Sequence, residues 1–220
     1  LGSCEPPITL ITEERTPIVQ TEERFDQLTN DAWEGLLERE PLIGTFVGDE
    51  RYDDRLSDPS EAGRSAEETA ARDGLQQLAA LDRADLDEAR QLTADIYEAI
   101  CSRVLARLEH RLDLLDVANH MNGAVATLGQ IATLQRADTP ERVARLDTRL
   151  RAFPAYLDAS IDLLREGVSK GVTAPRVVAE RTLGQVDRLL ELPPEDSPVV
   201  AQIEGDARET IAGTVADAIQ

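Results

Sequence analysis

Apolar residues recur along this chain at intervals of three and four, and no clear alternation of period two stands beside them outside the first 16 residues. That pattern predicts helices and no sheet. It begins near Pro17, where Phe25, Leu28, Ala32 and Leu36 share one face, widened by Trp33 and Leu37. Pro41 is expected to close this first helix, because a residue ahead of proline is pushed out of the α region. Residues 41–60 are the least regular part. Gly44 and Gly48 loosen them, and Tyr52, Asp53, Asp54 and Arg55 crowd charge beside one aromatic ring. Asp58-Pro59-Ser60 reads as a turn and a helix start. A second helix is expected over about 60–81, with Leu75, Leu78 and Leu81 inside. Asp82 and Asp85 offer a break and a new cap.

The longest helix is expected from about 86 to 115. Leu92, Ile96, Ile100, Val104, Leu108 and Leu112 step by four, and Cys101, Leu105, Leu108, Leu112 and Leu115 form an overlapping stripe. Two stripes predict a wide buried face, as on the central helix of a bundle. Residues 117–123 interrupt it, with Asn119, His120, Asn122 and Gly123, before a short helix over about 124–134. Thr139-Pro140-Glu141 is a strong start, a threonine cap with proline at the first helical position. Val143, Leu146 and Leu150 then share a face. Pro154 begins the next helix, striped by Leu157, Ile161, Leu164 and Val168 and ending at Gly167 and Gly171. Thr173-Ala174-Pro175 opens another, with Val178, Val186 and Leu190, which Pro193-Pro194 stops; residues 193–199 read as a loop. Ile203, Ala207, Ile211, Val215 and Ile219 step by four up to the end. The fold expected is therefore all-α, a multi-helix bundle with one long central helix and an irregular N-terminal arm over 1–16. Residues 17–220 form the helical domain.

Composition narrows the partners. The chain has 220 residues, 41% of them apolar and 30% charged, which is the balance of a globular protein. Only 3% are aromatic, so leucine, isoleucine, valine and alanine must build the core. Forty-three acidic against 23 basic residues give a net charge of −20, which argues against nucleic acid and anionic membranes as partners. No run of apolar residues is long enough to span a membrane. All but one of the basic residues are arginine, Lys170 being the exception. A solubilising surface accounts for most of this charge. The ends are informative as expectations only. Leu1-Gly2-Ser3-Cys4 reads as a tag scar or a truncation, with a cytoplasmic location favoured. The same residues leave open a signal remnant whose cysteine carries lipid. The last helix has no stop signal, which suggests a piece of a longer protein.

Little in the chain suggests catalysis. Two lone cysteines, Cys4 and Cys101, make neither a disulfide framework nor a metal cluster, and Cys101 on its helical stripe reads as a small core residue. His110 and His120 are the only histidines; about 100° per residue leaves them roughly 80° apart on a continuous helix, so a shared metal site is not expected. There is no G-x-S-x-G elbow and no Gly-rich phosphate loop. With 43 acidic residues, neighbours such as Asp53-Asp54 arise by chance and are most simply a solvated face. Tyr52 beside them is what raises the segment above chance, since a polar-tipped aromatic in irregular chain often lines a site. Tyr52, Asp53, Asp54 and Arg55 are the candidate substrate-side residues, joined by His120 and Asn122. No residue is assigned a catalytic or metal-binding role.

Several blocks resemble a known family. Phe25 in its helix, then Pro41, Thr45, Gly48 and Tyr52-Asp53-Asp54-Arg55-Leu56-Ser57-Asp58, are similar to the N-terminal part of the bacterial and archaeal family called domain of unknown function 885, a resemblance that covers about residues 20–220. So are Thr139-Pro140-Glu141, Arg145-Leu146, Pro154, and Gly167, Gly171 and Thr173-Ala174-Pro175-Arg176-Val177-Val178. The resemblance implies a nearly all-helical protein more than twice this length. It also implies a His-Glu…Pro-Gly-His-His motif in the C-terminal half, similar to zinc metallopeptidases, with zinc as cofactor and peptides as substrate. None of that motif occurs here. The implied role is then a wall or lid of a deep cleft, catalytically silent alone, with the Tyr52–Asp58 segment facing the cleft and the absent C-terminal half as partner. The rival reading is a self-contained acidic helical interaction domain, with or without a lipid anchor; a reading frame running past Gln220 into a His-Glu motif would favour the first. If packing partners are missing, the stripes at 178–190 and 203–219 are expected to be exposed or to drive self-association.

Overall fold

A computed structural model describes residues 16–205 and 207–219. The arm predicted over 1–16, with Leu1–Cys4, lies outside the described residues except for Thr16, which already opens the first helix. The described residues are all-α and contain no strand. The N-terminal layer consists of α1 (Thr16–Arg39), α3 (Glu61–Ala79) and α4 (Glu88–Glu109), with α3 lying against both others and the short α2 (Pro41–Val47) following α1. The remainder comprises α5 (Asp113–Asp116), α6 (Ala124–Leu134), α7 (Pro140–Arg151), α8 (Phe153–Lys170), α9 (Arg176–Glu191), α10 (Pro198–Ala201) and α11 (Ala207–Ile219).

Several elements form where local chemistry asks for them. Ser60 caps α3 by accepting from the Gly63 N–H, and Thr139 caps α7 by accepting from the Arg142 N–H, with Pro140 at the first helical position. Gly171 ends α8 in the left-handed region at φ 68. Gly167, expected near that end, lies inside the helix; a Cβ there would stand 2.6 Å from the Val172 carbonyl oxygen, so the chain's return past it needs glycine.

Other expectations are corrected. Pro41 does not merely close a helix. Glu40 breaks the chain, and Pro41 starts α2 as its first residue, so the first third of 41–60 is helical. Gly48, at φ 84, ends α2. Asp82 caps only a 3₁₀ turn over 83–85, and Asp87 caps α4. The helix expected to run to Leu115 stops at Glu109, because Arg111 takes a left-handed φ of 51 that a helix cannot continue through. Residues 193–199 are not a plain loop but a 3₁₀ turn over 194–196 leading into α10. Ile203 belongs to the link after α10 rather than to the terminal helix.

The wide buried face predicted for the long helix is also corrected. At 22 residues α4 is slightly shorter than α1, and only Ala94 and Cys101 are buried on it. Leu92, Ile96 and Ile100 are 61%, 52% and 48% exposed. The main core lies elsewhere: Leu128 and Ile131 of α6, Leu146 and Leu150 of α7, Phe153 of α8, Val199 and Val200 of α10, Ile203, and Ile211 and Val215 of α11 pack together. The stripe of α11 is therefore covered. That of α9 is not, since no residue of α9 is buried and Val177, Leu183 and Leu190 face solvent.

Candidate functional site

The Tyr52–Arg55 segment is built into the fold by Arg149, a residue that sequence reasoning passed over. Arg149 sits on α7 and is fully buried. Its Nε donates to the Arg55 carbonyl at 2.7 Å and its Nη2 to the Tyr52 carbonyl at 2.8 Å. Its Nη1 donates to Thr45 Oγ1 at 3.0 Å and to Gln135 Oε1 at 2.8 Å. Asp53, also buried, completes the shell: its Oδ1 lies 3.6 Å from Arg149 Nη2 and accepts from the Thr45 hydroxyl at 2.6 Å. Gln135 in turn donates to the Asp53 carbonyl at 2.8 Å. Burial pushes the guanidinium down to about 10, against the pull of Asp53 and Asp54, so it stays charged at neutral pH. A buried cation with this many partners fixes the turn over 49–56 against α7.

The neighbours of Asp53 lie progressively nearer the surface, Tyr52 buried, Asp54 half-buried and Arg55 exposed. The Tyr52 ring is buried between the guanidinium groups of Arg51 and Arg55, at 5.3 and 5.4 Å from its centroid, and its hydroxyl donates to Glu34 at 3.2 Å. Asp54 Oδ1 is shut from water and makes no hydrogen bond; Arg55 Nε at 3.4 Å is its ion-pair partner. Arg145 donates to the Glu50 carbonyl at 3.1 Å, and Arg142 pairs with the Glu50 carboxylate at 2.5 Å. The two segments of sequence, 49–56 and 139–150, are thus two sides of one interface.

The cavity lies on the other side of this turn. A cleft of about 860 Å³ opens between α1, α3 and α4 and the segment leading into α6, within the range of small-ligand sites. Ile96, Ile100 and Val104 of α4 give it an apolar wall, and Trp33 and Leu36 of α1 stand on the lining as well. The predicted segment reaches the cleft only through Leu56, Ser57 and Asp58; Tyr52, Asp53, Asp54 and Arg55 are together, but not on its lining. Asn122 is exposed and lines the cleft. His120 does not: its carbonyl accepts from Gln185 at 2.8 Å and its ring Nδ1 is buried without a hydrogen-bond partner. His110 ends α4 at the exposed surface, so the two histidines do not meet in one site.

Cys101 and Tyr97 of α4 share the interior of the cleft. Burial pushes the Tyr97 phenol up to about 12 and raises the Cys101 thiol as well, so neither is poised as a nucleophile or base at neutral pH. The carboxylates differ among themselves. Asp113 and Glu166 grip Arg111, at 3.0 Å to its Nη2 and 2.5 Å to its Nη1, and Arg64 approaches both at 3.7 Å. Glu67 pairs with Arg107 at 2.5 Å. Glu40 lines the same cleft, its backbone N–H donating to the Leu36 carbonyl at 2.8 Å and its carboxylate making no hydrogen bond or ion pair. Surrounding protein and the nearby Glu67 push its carboxyl above the ordinary 4.5, partly offset by Arg107 and Arg39. Sequence reading missed it because a glutamate before a proline looks like any linker residue.

Among the described residues no group of three histidine, cysteine, aspartate or glutamate side chains is placed to hold a metal ion. No helix of the described residues is long and apolar enough to cross a membrane. Residues 41–220 match the family model described as bacterial protein of unknown function (DUF885), and the chain belongs to that family. The match begins at the first residue of α2, so α1 precedes it. No match is found among curated proteins or solved structures.

Proposed function

We propose, from membership of that family, that this chain is the substrate-side helical wall of a zinc-dependent, peptidase-like hydrolase and is not catalytic by itself. The observation that carries the reading is the cleft: a ligand-sized cavity with one apolar side, in which α4 leaves Ile96 and Ile100 about half exposed. The described side chains of this chain do not fit zinc, so no step is assigned to a metal here. Zinc, with its activated water, belongs in this reading to the C-terminal half of the same protein, which would face the cleft. What this chain contributes is placement. Ile96, Ile100 and Val104 offer apolar surface to a peptide's side chains and exclude water beside them. Arg149 holds the turn that ends at Leu56–Asp58 on the cleft's border.

The test compares the whole gene product with the 220-residue chain in a peptide-library cleavage assay, with and without a zinc chelator. Chelator-sensitive cleavage by the whole protein and none by the chain is the expected result. Cleavage by the chain alone, or none by either, would overturn the reading. In the whole protein, Ile100→Arg should raise KM more than it lowers kcat, since Ile100 lies on the wall and not among reacting atoms. A second reading, a self-contained acidic interaction domain, is favoured by α9, whose Val177, Leu183 and Leu190 stay exposed. It predicts concentration-dependent self-association or partner capture that Leu183→Asp abolishes.

A further inference from the structure

The link between α5 and α6, over 117–123, is a run of turns outside any helix, and Val117, Asn122 and Gly123 stand on the lining of the cleft. It is tied from within and from α9. The Gly123 N–H donates to the Asn119 carbonyl at 2.7 Å. Thr182 Oγ1 donates to the Ala118 carbonyl at 2.7 Å, and Gln185 Nε2 to the His120 carbonyl at 2.8 Å. The turn needs glycine at 123, where a Cβ would stand 2.4 Å from the Asn119 carbonyl oxygen and 2.6 Å from that of Val117. The residue ahead of that glycine is an asparagine. Three asparagines occur in the chain, and their settings differ. Asn30 lies inside α1, whose helical backbone turns the next amide nitrogen away from its side chain. Asn119 is followed by His120, and its Oδ1 already accepts from the Met121 N–H at 2.9 Å. Asn122 alone is exposed outside a helix, with no hydrogen bond on its side chain and glycine next.

An asparagine amide is a weak electrophile, and the nitrogen of the following residue is the nucleophile closest to it. A side chain on that residue screens the nitrogen; glycine leaves it open. We propose that Asn122 is a site of deamidation through a cyclic imide, at a rate set by the ties on the 117–123 link. The Gly123 nitrogen gives its proton to water or hydroxide and attacks Asn122 Cγ. The new N–Cγ bond replaces the Cγ–Nδ2 bond, and Nδ2 leaves as ammonia with a proton from water. Water then opens the imide at either carbonyl, with no change of oxidation level. One product is aspartate. The other is isoaspartate, in which the main chain runs through Cγ. In the folded link the Asn119 carbonyl holds the Gly123 N–H, so attack waits until the turn lets go. Both products add a carboxylate to a lining that already holds Asp113 and Asp116. Isoaspartate also lengthens the main chain directly ahead of Gly123, where the turn has no spare room, so that product loosens this edge of the cleft.

The 220-residue chain is incubated at mildly alkaline pH for several weeks, folded in buffer and unfolded in guanidinium chloride, and sampled for peptide mapping by mass spectrometry. Fragment spectra separate Asn122 from Asn119, and enzymatic methylation marks isoaspartate. In the folded chain the acid should appear at Asn122 ahead of Asn30 and Asn119, with isoaspartate at the same position. In denaturant, where the ties are gone, conversion of Asn122 should run about tenfold faster or more, the effect of losing hydrogen bonds of ordinary strength. Thr182→Val removes the tie to the Ala118 carbonyl and should speed conversion about two- to tenfold in buffer, with circular dichroism unchanged. Asn122→Gln should remove the product. An Asn122 that keeps its amide throughout in the folded chain, or that converts after Asn30 or Asn119, would overturn the site. Equal rates in buffer and denaturant, or an unchanged rate in a folded Thr182→Val chain, would overturn the control by the ties. Should Thr182→Val fail to fold, the comparison of buffer with denaturant still decides.

Discussion

In the layer of α1, α3 and α4, a buried cluster gathers Phe25, Leu28, Leu78, Leu86 and Ala94. The cluster around α6, α7, α8, α10 and α11 gathers more than twice as many buried side chains and adds Arg149 with its full shell of acceptors at the border. Both regions are helical, and both carry apolar stripes in the sequence. What separates them is coverage. On α11 the stripe meets α7, and Ile211 and Val215 vanish from solvent. On α4 the stripe of Leu92, Ile96 and Ile100 meets open cleft or water. Apolar periodicity states which residues share a face and leaves open whether anything lies on it. A face left open beside a cavity is available for binding, which is why the thinner region is where a ligand is expected.

The sharpest way to break this comparison is Arg149→Met. It leaves Asp53 without its buried cation and takes one donor each from the Thr45 hydroxyl, Gln135 and two carbonyls, and should cost about 3–5 kcal/mol in denaturant unfolding. A loss below about 1 kcal/mol would mean that water replaces the guanidinium and that the two regions are not so different. Next comes a matched pair. Ile211→Ala should cost about 2–5 kcal/mol through the cavity it leaves, whereas Ile100→Ala should stay within about 0.5 kcal/mol. Equal losses would show that α4 is covered in solution.

Gly74→Ala probes the seam between α3 and α4. An added Cβ would stand 2.2 Å from the Tyr97 hydroxyl, so a loss of about 1–3 kcal/mol is expected although alanine is the better helix former. With Tyr97→Ala in the background the same change should turn stabilising by about 0.5–1 kcal/mol. A loss that persists in that background would place the strain in the helix backbone. The smallest effects are those of pH. Glu166, held by Arg111 and Lys170, titrates at about 2 in the folded chain against an ordinary 4.5. Its contribution is complete above about pH 4.5 and fades as pH falls toward 2, and Glu166→Gln should flatten that part of the acid-unfolding curve. Glu40 has the opposite sign. Its raised pKa means the protonated form is favoured on folding, so its contribution is present below the ordinary glutamate range and lost as pH rises through the raised value. Glu40→Gln should therefore be slightly more stable than the parent at neutral pH, and a variant less stable there would show that the carboxylate has a partner.

Much of the architecture is legible in the residues. The caps Ser60 and Thr139, the prolines at helix starts and Gly171 place the boundaries they predict, because each acts within its own turn of chain. The end of α4 is not legible: Arg111 adopts its left-handed φ with neither glycine nor proline beside it, while its side chain reaches Asp113 and Glu166, the latter 55 residues away. The candidate site was legible in part. Crowded charge at Tyr52–Arg55 does mark a special segment, but most of its meaning is structural, since Asp53 and two backbone carbonyls serve Arg149. Arg149 is one arginine among many along the chain, and only tertiary burial sets it apart. Asn122 does line the cleft, and His120 does not.

The reach of Arg149 has a consequence for the order in which the protein takes shape. Its acceptors at Thr45, Tyr52 and Arg55 lie 104, 97 and 94 positions earlier in the chain. A nascent polypeptide that has not yet released α7 therefore carries the turn at 49–56 unanchored, with the Asp53 carboxylate turned to water. That edge of the cleft can settle only once α7 has followed it by about a hundred residues, so a segment made earlier becomes rigid only with one made later.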